Sequence, residues 1–259
     1  MSLSIAVSGK GGTGKTSIAS MIIRYLKKNG TGPILAIDAD ANANLAESLG
    51  LETIETVGSL IASFNQVKLN IPPGMTKEAY LQLRLNEIVV ESSRLDLITM
   101  GRGEGPDCYC YPNTVLRKFA DELADNYAYV VMDNEAGLEH LSRRTTQDID
   151  TLLLVSDHSV KGIRTVARIK DLVTELKLRV GKQIVVINLV PGELAPMVKD
   201  EIAKLNLGSP VIIPRDEEVY QYDLEARPLA DLPDTSPAVK AIDDLMRGLL
   251  SPEKQELKV

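Results

Sequence analysis

The sequence predicts an α/β fold in which helices cover both faces of a doubly wound, mostly parallel sheet. Short apolar segments alternate with helical patterns along most of the 259 residues, as in a sheet built from right-handed crossovers. The apolar segments are hydrophobic throughout instead of at every second position, which is typical of strands buried on both faces. The predicted strands are Leu3–Ser8, Ile34–Asp38, Leu95–Met100, Tyr129–Asp133, Leu152–Ser156, Ile184–Leu189 and Val211–Ile213.

Helical patterns lie between these strands, and one longer region interrupts the alternation. The predicted helices are Lys15–Asn29, Asn113–Asn126, Val160–Leu178, Ala195–Leu205 and Pro237–Leu250. Residues 51–94 separate the second strand from the third and contain a turn at Ile71–Gly74 between two weakly amphipathic segments. Because this region is too short for a core of its own, we predict a helical insertion in a single domain, 1–250, followed by a polar tail at 251–259.

The composition excludes several classes of protein. Hydrophobic residues make up 44% and charged residues 25%, as in soluble globular proteins. The net charge is −7, from 29 basic and 36 acidic residues, and tryptophan is absent. A nucleic-acid surface needs a basic excess, so no nucleic-acid partner is predicted. No apolar run approaches the ~18 residues of a membrane-spanning helix, and no secretory signal is recognisable. We therefore expect a cytoplasmic protein with no membrane partner.

A glycine-rich loop joins the first strand to the first helix. It reads Gly9-Lys10-Gly11-Gly12-Thr13-Gly14-Lys15-Thr16 and fits the phosphate-loop pattern G-x-x-x-x-G-K-[ST]. Its glycines let the backbone wrap around an anion, and the positive end of the following helix favours negative charge. In such loops the lysine at Lys15 reaches the β- and γ-phosphates, and the hydroxyl at Thr16 ligates Mg²⁺. The sequence therefore predicts a P-loop NTPase whose nucleotide site runs from Gly9 through Ser17.

Aspartates follow two of the predicted strands. Asp38 and Asp40 lie at the end of the second strand, and Asp133 closes the fourth. Because ligands bind at the carboxyl ends of parallel strands, these carboxylates are expected beside the phosphate loop. A lone aspartate after an apolar strand is the Walker B position, so Asp133 is predicted to hold Mg²⁺ through its water shell. The alternative for the second strand is that Asp40 or Asn42 caps the next helix.

Lys10 adds a second lysine near the start of the loop. The string K-G-G-x-G-K-T resembles the deviant phosphate-loop class of ATPases, which includes MinD, ParA and the nitrogenase iron protein. The resemblance implies a homodimer in which Lys10 crosses the interface to the nucleotide of the other subunit, so that Lys10, Lys15 and Asp40 carry catalysis. It also implies that Asp38 lies near Mg²⁺ and the phosphates, that Asp40 orients the attacking water, and that Gly137 senses the γ-phosphate.

The same class indicates where the base binds. Asn188 lies at the end of the sixth apolar strand, one residue before Leu189, and Pro214-Arg215-Asp216 follow the seventh. The resemblance implies that these residues flank adenine. No Lys-x-Asp follows Asn188, so the usual guanine-reading motif is missing and ATP is predicted in preference to GTP. Asn188 could instead begin a turn.

The two cysteines, Cys108 and Cys110, lie one residue apart in a glycine-rich polar loop before a predicted helix. A disulfide between such close positions is strained, whereas a helix N-terminus favours the metal-binding thiolate. Two thiolates half-fill a tetrahedral site, and a two-fold axis completes it with the cysteines of a second chain. We therefore predict that nickel or zinc bridges two chains; the alternative is two inert buried cysteines. His140 and His158 each follow a strand end and are more typical of structural or switch residues than of nickel ligands.

The segment from Asp133 to Thr145, DNEAGLEHLSRRT, is the most distinctive string of the chain. With the deviant loop and Cys108-Tyr109-Cys110, it resembles the accessory ATPases that mature nickel-dependent carbon monoxide dehydrogenase (CooC type). The resemblance implies a dimer that hydrolyses ATP, with Mg²⁺, to assist nickel insertion into that enzyme or into acetyl-CoA synthase.

Two other functions stay open on the sequence. One is an electron-transfer ATPase that resembles the nitrogenase iron protein and carries a [4Fe–4S] cluster on the same four thiolates. That protein has its second cysteine ligand beyond the Walker B strand, where this chain has none. The other is a positioning or partition ATPase that acts on membranes or DNA, which the acidic balance and the mixed charge of the last predicted helix disfavour.

Overall fold

One sheet forms the centre of the computed structural model, which describes residues 2–67, 71–102, 119, 123–135 and 148–251. Its strands are β1 (Leu3–Gly9), β2 (Ile34–Ala39), β3 (Val90–Ser92), β4 (Leu95–Thr99), β5 (Tyr129–Asn134), β6 (Asp148–Ser156), β7 (Arg179–Val190) and β8 (Val211–Pro214). They are ordered β3-β4-β2-β5-β1-β6-β7-β8, and all neighbours are parallel except β3 and β4. The strand that leads into the phosphate loop, β1, therefore lies between β5 and β6.

Helices cover both faces of this sheet. The helices of the described residues are α1 (Lys15–Asn29), α2 (Leu45–Ser48), α3 (Val57–Val67), α4 (Lys77–Glu87), α5 (Val160–Glu175), α6 (Pro196–Lys204), α7 (Glu217–Leu224) and α8 (Pro237–Leu250), with a 3₁₀ turn at Leu229–Asp231. Alternate residues of β1 belong to different cores: Ile5 and Val7 pack with α1 and α8, whereas Ala6 belongs to the core that contains α3, α4, α5 and α6. The predicted fold class is confirmed.

The edge strand β3 departs from the sequence prediction, which placed no strand there. It runs antiparallel to β4 in a short hairpin, with Val90 opposite Leu97. Arg94 forms the turn with φ of 62°, a left-handed conformation that arginine seldom adopts. Its guanidinium donates hydrogen bonds to the carbonyls of Lys27 and Gly30 at the end of α1, which stabilises the turn. Because the turn lacks an Asn-Gly signal, the sequence pattern missed the hairpin.

The neighbouring strands β6 and β7 are both longer than predicted. β6 begins at Asp148 instead of Leu152, and β7 begins at Arg179 instead of Ile184. Their early residues are polar and therefore lack the continuous apolar signal, yet they pair in register, with Ile149 opposite Val180. The helix before β7 ends at Glu175, three residues earlier than predicted, and Lys177 takes a positive φ of 52° just after it.

Several predictions concern residues that the structure does not describe. Most of the predicted helix Asn113–Asn126 and nearly all of the tail 251–259 lie outside the described residues. Within 51–94, α3 and α4 pack on the sheet; the single-domain organisation of 1–250 stays a prediction. None of the described helices combines the length and apolar character that crossing a bilayer requires.

Candidate nucleotide site at the carboxyl edge of the sheet

The glycine-rich loop turns sharply between β1 and α1. Gly12 and Gly14 have φ of 76° and 80°, the left-handed region that glycine adopts most easily. At Gly9, a Cβ would lie 2.2 Å from the carbonyl oxygen of Val155, so β1 and β6 approach too closely there for any side chain. No described atom lies within 4 Å of a Cβ placed at Gly11 or Gly12. The loop is therefore held tightly at its base and open on its outer side, as a phosphate cradle requires.

The two lysines of the loop point to different partners. The Nζ of Lys15, which is buried, donates to the carbonyl of Lys10 at 3.3 Å, and the Thr13 hydroxyl donates to the same oxygen at 2.8 Å. Lys15 is thus folded over its own loop. The Nζ of Lys10 lies 4.0 Å from Oδ2 of Asp157, and the Lys10 side chain is 45% exposed. Asp157 follows β6 directly, and its Oδ1 accepts from the backbone N–H of Ser159 before α5.

Thr16 and Asp133, two of the residues predicted around Mg²⁺, form a partly buried corner beside the loop. The Thr16 hydroxyl donates to Oδ2 of Asp133 at 2.6 Å, and Oδ1 of Asp133 has no hydrogen-bond partner among the described residues. Burial raises the pKa of Asp133 to about 7; the charge of Asp38 adds to this effect, while the Thr16 hydrogen bond and the charge of Lys15 oppose it. A buried carboxylate with one free oxygen next to a threonine hydroxyl is a donor set that suits a divalent cation. These residues therefore fit Mg²⁺.

The two aspartates at the end of β2, Asp38 within the strand and Asp40 just after it, bond to the loop that follows. Asp38, fully buried, accepts at Oδ2 from the N–H of Leu45 at 2.9 Å and at Oδ1 from the N–H of Asp40 at 3.1 Å. Oδ1 of Asp40 accepts from both the backbone N–H and the side-chain Nδ2 of Asn42. Asp38 therefore supplies the hydrogen bond at the start of α2. The alternative in which Asp40 or Asn42 caps that helix is wrong, because the N-cap is Asn44 and its side chain makes no capping hydrogen bond.

Asn188 lies against the phosphate loop. Its Nδ2 donates to the carbonyl of Thr13 at 2.9 Å, and its Oδ1 accepts from the N–H of Leu189. A Cβ at Gly14 would lie 2.4 Å from that Nδ2. An irregularity near the end of β7, where Leu189 has φ of 59°, accompanies this arrangement. Asn188 lies inside β7 and begins no turn. The amide that was predicted to flank adenine is bonded to the phosphate loop.

Asp216, also predicted beside adenine, joins the starts of two helices. It accepts from the N–H of Glu218 in α7, and from the Ser236 hydroxyl and the N–H of Ala238 at the start of α8. Burial raises the pKa of Asp216, but these hydrogen bonds outweigh it, so the pKa lies below its usual value. Pro214 ends β8, and Arg215 is exposed, with its N–H donating to the carbonyl of Val190.

Three predicted residues, Gly137, Cys108 and Cys110, lie outside the described residues, as does His140. His158 is exposed just after β6. Within the parts of the chain that the structure describes, no group of three or more histidine, cysteine, aspartate or glutamate side chains could hold a metal ion. Sequence reasoning missed Asp157, although its place at the end of a parallel strand is the signal that singled out Asp133.

Comparisons with known proteins agree with this geometry. Residues 4–229 match the family model described as the CobQ/CobB/MinD/ParA nucleotide binding domain. An uncharacterised ATP-binding protein of Methanocaldococcus jannaschii is 41% identical over 249 residues, which cover 95% of this chain and 98% of that protein. The carbon monoxide dehydrogenase accessory protein CooC of Rhodospirillum rubrum is 30% identical over 189 residues, 68% of this chain and 71% of that protein.

The fold is shared with solved structures at lower identity. The septum site-determining protein MinD of Pyrococcus horikoshii, solved with Mg-ADP, has a TM-score of 0.68 at 19% identity, with 100% of both chains covered. Since the family model spans most of the sequence and the phosphate loop has the required geometry, the chain belongs to the CobQ/CobB/MinD/ParA nucleotide-binding family and is a P-loop ATPase.

Proposed function

We propose that this ATPase works as a homodimeric metallochaperone that assists nickel insertion into carbon monoxide dehydrogenase or acetyl-CoA synthase. Nickel or zinc is held between two chains by Cys108 and Cys110 of each. The likeness to the accessory protein CooC supports the client, and the Cys-x-Cys motif supports the metal. One structural observation carries the dimeric ATPase cycle: the ammonium of Lys10 is exposed and lies by Asp157, while Lys15 serves its own loop.

The phosphate loop binds the triphosphate of ATP. The side of the loop at Gly11 and Gly12 is open, which leaves room for phosphates to approach the backbone N–H groups. The N-terminus of α1 adds its positive dipole. Lys15 exchanges the carbonyl of Lys10 for the phosphates, where its charge is better compensated. Thr16 and Asp133 hold Mg²⁺, which neutralises charge on the β- and γ-phosphates when bound. Adenine binds near Pro214 and Arg215, with Asn188 and Asp216 fixing the surrounding backbone.

Asp40 orients the attacking water. Its Oδ1 is occupied by the donors of Asn42, whereas Oδ2 makes no hydrogen bond with the described residues. The charge of Asp40 contributes to the raised pKa of Asp133, so the carboxylate lies within electrostatic reach of the Mg²⁺ corner. Lys10 of the second chain stabilises the charge that develops on the transferred phosphoryl group, as an arginine finger does.

A complementation assay tests the trans action of Lys10. Lys10→Ala and Asp40→Asn are each expected to bind ATP but to hydrolyse it slowly, because each chain keeps Lys15 and the loop glycines and lacks one catalytic group. In an equal mixture, the Lys10→Ala chain receives a lysine from its partner. Half of the dimers are then mixed, and one of the two sites in each mixed dimer is intact. The mixture should therefore recover on the order of one quarter of the wild-type rate.

The matched control replaces Asp40→Asn with the double variant Lys10→Ala/Asp40→Asn, which has no lysine to contribute. That mixture should stay as slow as its components. If the first mixture also stays slow while both variants bind ATP and form mixed dimers, Lys10 does not act in trans.

A further inference from the structure

The loop between β2 and α2 is hydrogen-bonded to itself around two aspartates. Buried Asp38 accepts from the N–H groups of Asp40 and Leu45, and the carbonyl of Asp40 accepts from the N–H of Ala43 at 3.1 Å. Ala43 has φ of 55°. A non-glycine residue in this left-handed region adds local strain, so the loop is held in one shape by these bonds. The backbone of Asp40 is therefore fixed relative to the end of the sheet.

Asn42 fixes the side chain of Asp40 as well. Its backbone N–H and its Nδ2 both donate to Oδ1 of Asp40, at 2.9 and 3.0 Å. Two donors on one oxygen restrict rotation of the carboxylate and leave Oδ2 without a hydrogen bond to the described residues. The Asn42 side chain makes no other hydrogen bond in the described structure and is exposed. Neither packing nor helix capping therefore explains the presence of an amide side chain at position 42.

We propose that Asn42 is a positioning residue for ATP hydrolysis: by binding Oδ1 of Asp40, it presents Oδ2 to the attacking water. The inference rests on the role proposed above for Asp40. Hydrolysis of ATP slows when the carboxylate that orients the water samples several rotamers, because the reactive geometry is then populated for less of the time. Asn42 reduces that loss before the substrate arrives.

Two substitutions separate the hydrogen bond from the shape of the side chain. Asn42→Ala keeps the backbone N–H and removes the Nδ2 donor. It should lower kcat about fivefold, the effect of one exposed hydrogen bond to a charged group, with KM for ATP unchanged. Asn42→Asp keeps the shape but places a like charge beside Asp40, and kcat should fall further. Raising the salt concentration should restore part of the Asn42→Asp loss and none of the Asn42→Ala loss, because salt screens only the repulsion.

Asn44→Ala is the matched control in the same loop. Asn44 is exposed and makes no side-chain capping hydrogen bond, so its removal should leave kcat within about twofold of wild type. Thermal unfolding of Asn42→Ala should match that of Asn44→Ala. A rate of Asn42→Ala at or above the wild-type rate, or a rise in KM with unchanged kcat, would overturn the inference.

Asp40→Asn separates the role of Asn42 from the role of Asp40. If Asp40→Asn hydrolyses ATP slowly while Asn42→Ala is as fast as wild type, Asp40 keeps its proposed role and Asn42 has none. If Asp40→Asn is as fast as wild type, the proposed role of Asp40 is wrong, and the inference about Asn42 falls with it.

Discussion

Asp133 shows how burial of a single carboxyl couples the stability of the fold to pH. It is 1% exposed, one of its oxygens is unpaired among the described residues, and burial holds its pKa at about 7. In the unfolded chain the same carboxyl has its ordinary pKa of 3.8. Without nucleotide and Mg²⁺, the folded state therefore binds the extra proton. Binding of this proton stabilises the folded state. The stabilisation is complete below pH 3.8 and is lost as the pH rises through 7.

Asp133→Asn should remove that dependence. Without nucleotide and Mg²⁺, the free energy of unfolding of wild type should fall relative to the variant between pH 5 and pH 8, by roughly 2–3 kcal/mol. Denaturant titrations at several pH values measure the difference in unfolding free energy between the two proteins. The contributions of the other titrating groups cancel in this difference. The variant should also lose ATP hydrolysis. Parallel stability curves for the two proteins would show that Asp133 is not held protonated by its surroundings.

Gly14 is constrained from two sides, by its backbone and by Asn188. Gly14→Ala should weaken ATP binding at least tenfold, since it combines a positive φ with a Cβ 2.4 Å from the Asn188 amide. Gly74→Ala is the control, because Gly74 has φ of 89° and no described atom within 4 Å of its Cβ. The double variant Gly14→Ala/Asn188→Ala should recover part of the affinity. If the double variant binds ATP no more tightly than Gly14→Ala in equilibrium binding measurements, the backbone conformation alone causes the loss of affinity.

At the scale of elements, Asp216 connects the loop after β8 to the first turns of α7 and α8. Asp216→Asn replaces an acceptor of three hydrogen bonds by a group with one acceptor, and should lower the free energy of unfolding by about 1–2 kcal/mol at pH 7. Because the folded-state pKa is lowered, this contribution is present above the ordinary value of 3.8 and is lost as the pH falls through the lower folded value.

Asp223→Asn is the control for this prediction, since Asp223 is an exposed carboxylate in α7. It should change the free energy of unfolding little, at any pH. A difference between wild type and Asp216→Asn that stays constant from pH 7 to pH 3 would contradict the capping role of the carboxylate.

The elements show which parts of the fold the sequence can predict. Central strands such as β1 and β5 were predicted closely because they are buried on both faces and therefore apolar throughout. The hairpin of β3 was not, because its turn lacks an Asn-Gly signal and is stabilised by Arg94 reaching the end of α1, a contact between distant parts of the chain. The same limit applies to the site: the glycine pattern located the phosphate loop, but only the fold shows Asn188 against Thr13 and Asp216 between two helices.

At the scale of the whole molecule, two requirements of the proposed function involve a second chain. Lys10 extends from the loop to Asp157, away from the interactions of Lys15, and two cysteines cannot complete a tetrahedral metal site. A symmetric dimer satisfies both requirements with one interface. In the proposed function, ATP and metal therefore act on the same dimer, through different residues.

The amount of metal bound per chain tests that claim most directly. Anaerobic titration of the wild-type protein with nickel or zinc, followed by measurement of mass in solution, should give one metal ion per two chains and a dimer that persists while the metal is bound. Cys108→Ala and Cys110→Ala should each lose metal and metal-driven dimerisation but still bind ATP. One metal ion per chain, unaffected by dissociation of the dimer, would contradict the bridging site, and a protein that absorbs near 400 nm would indicate an iron–sulfur cluster instead.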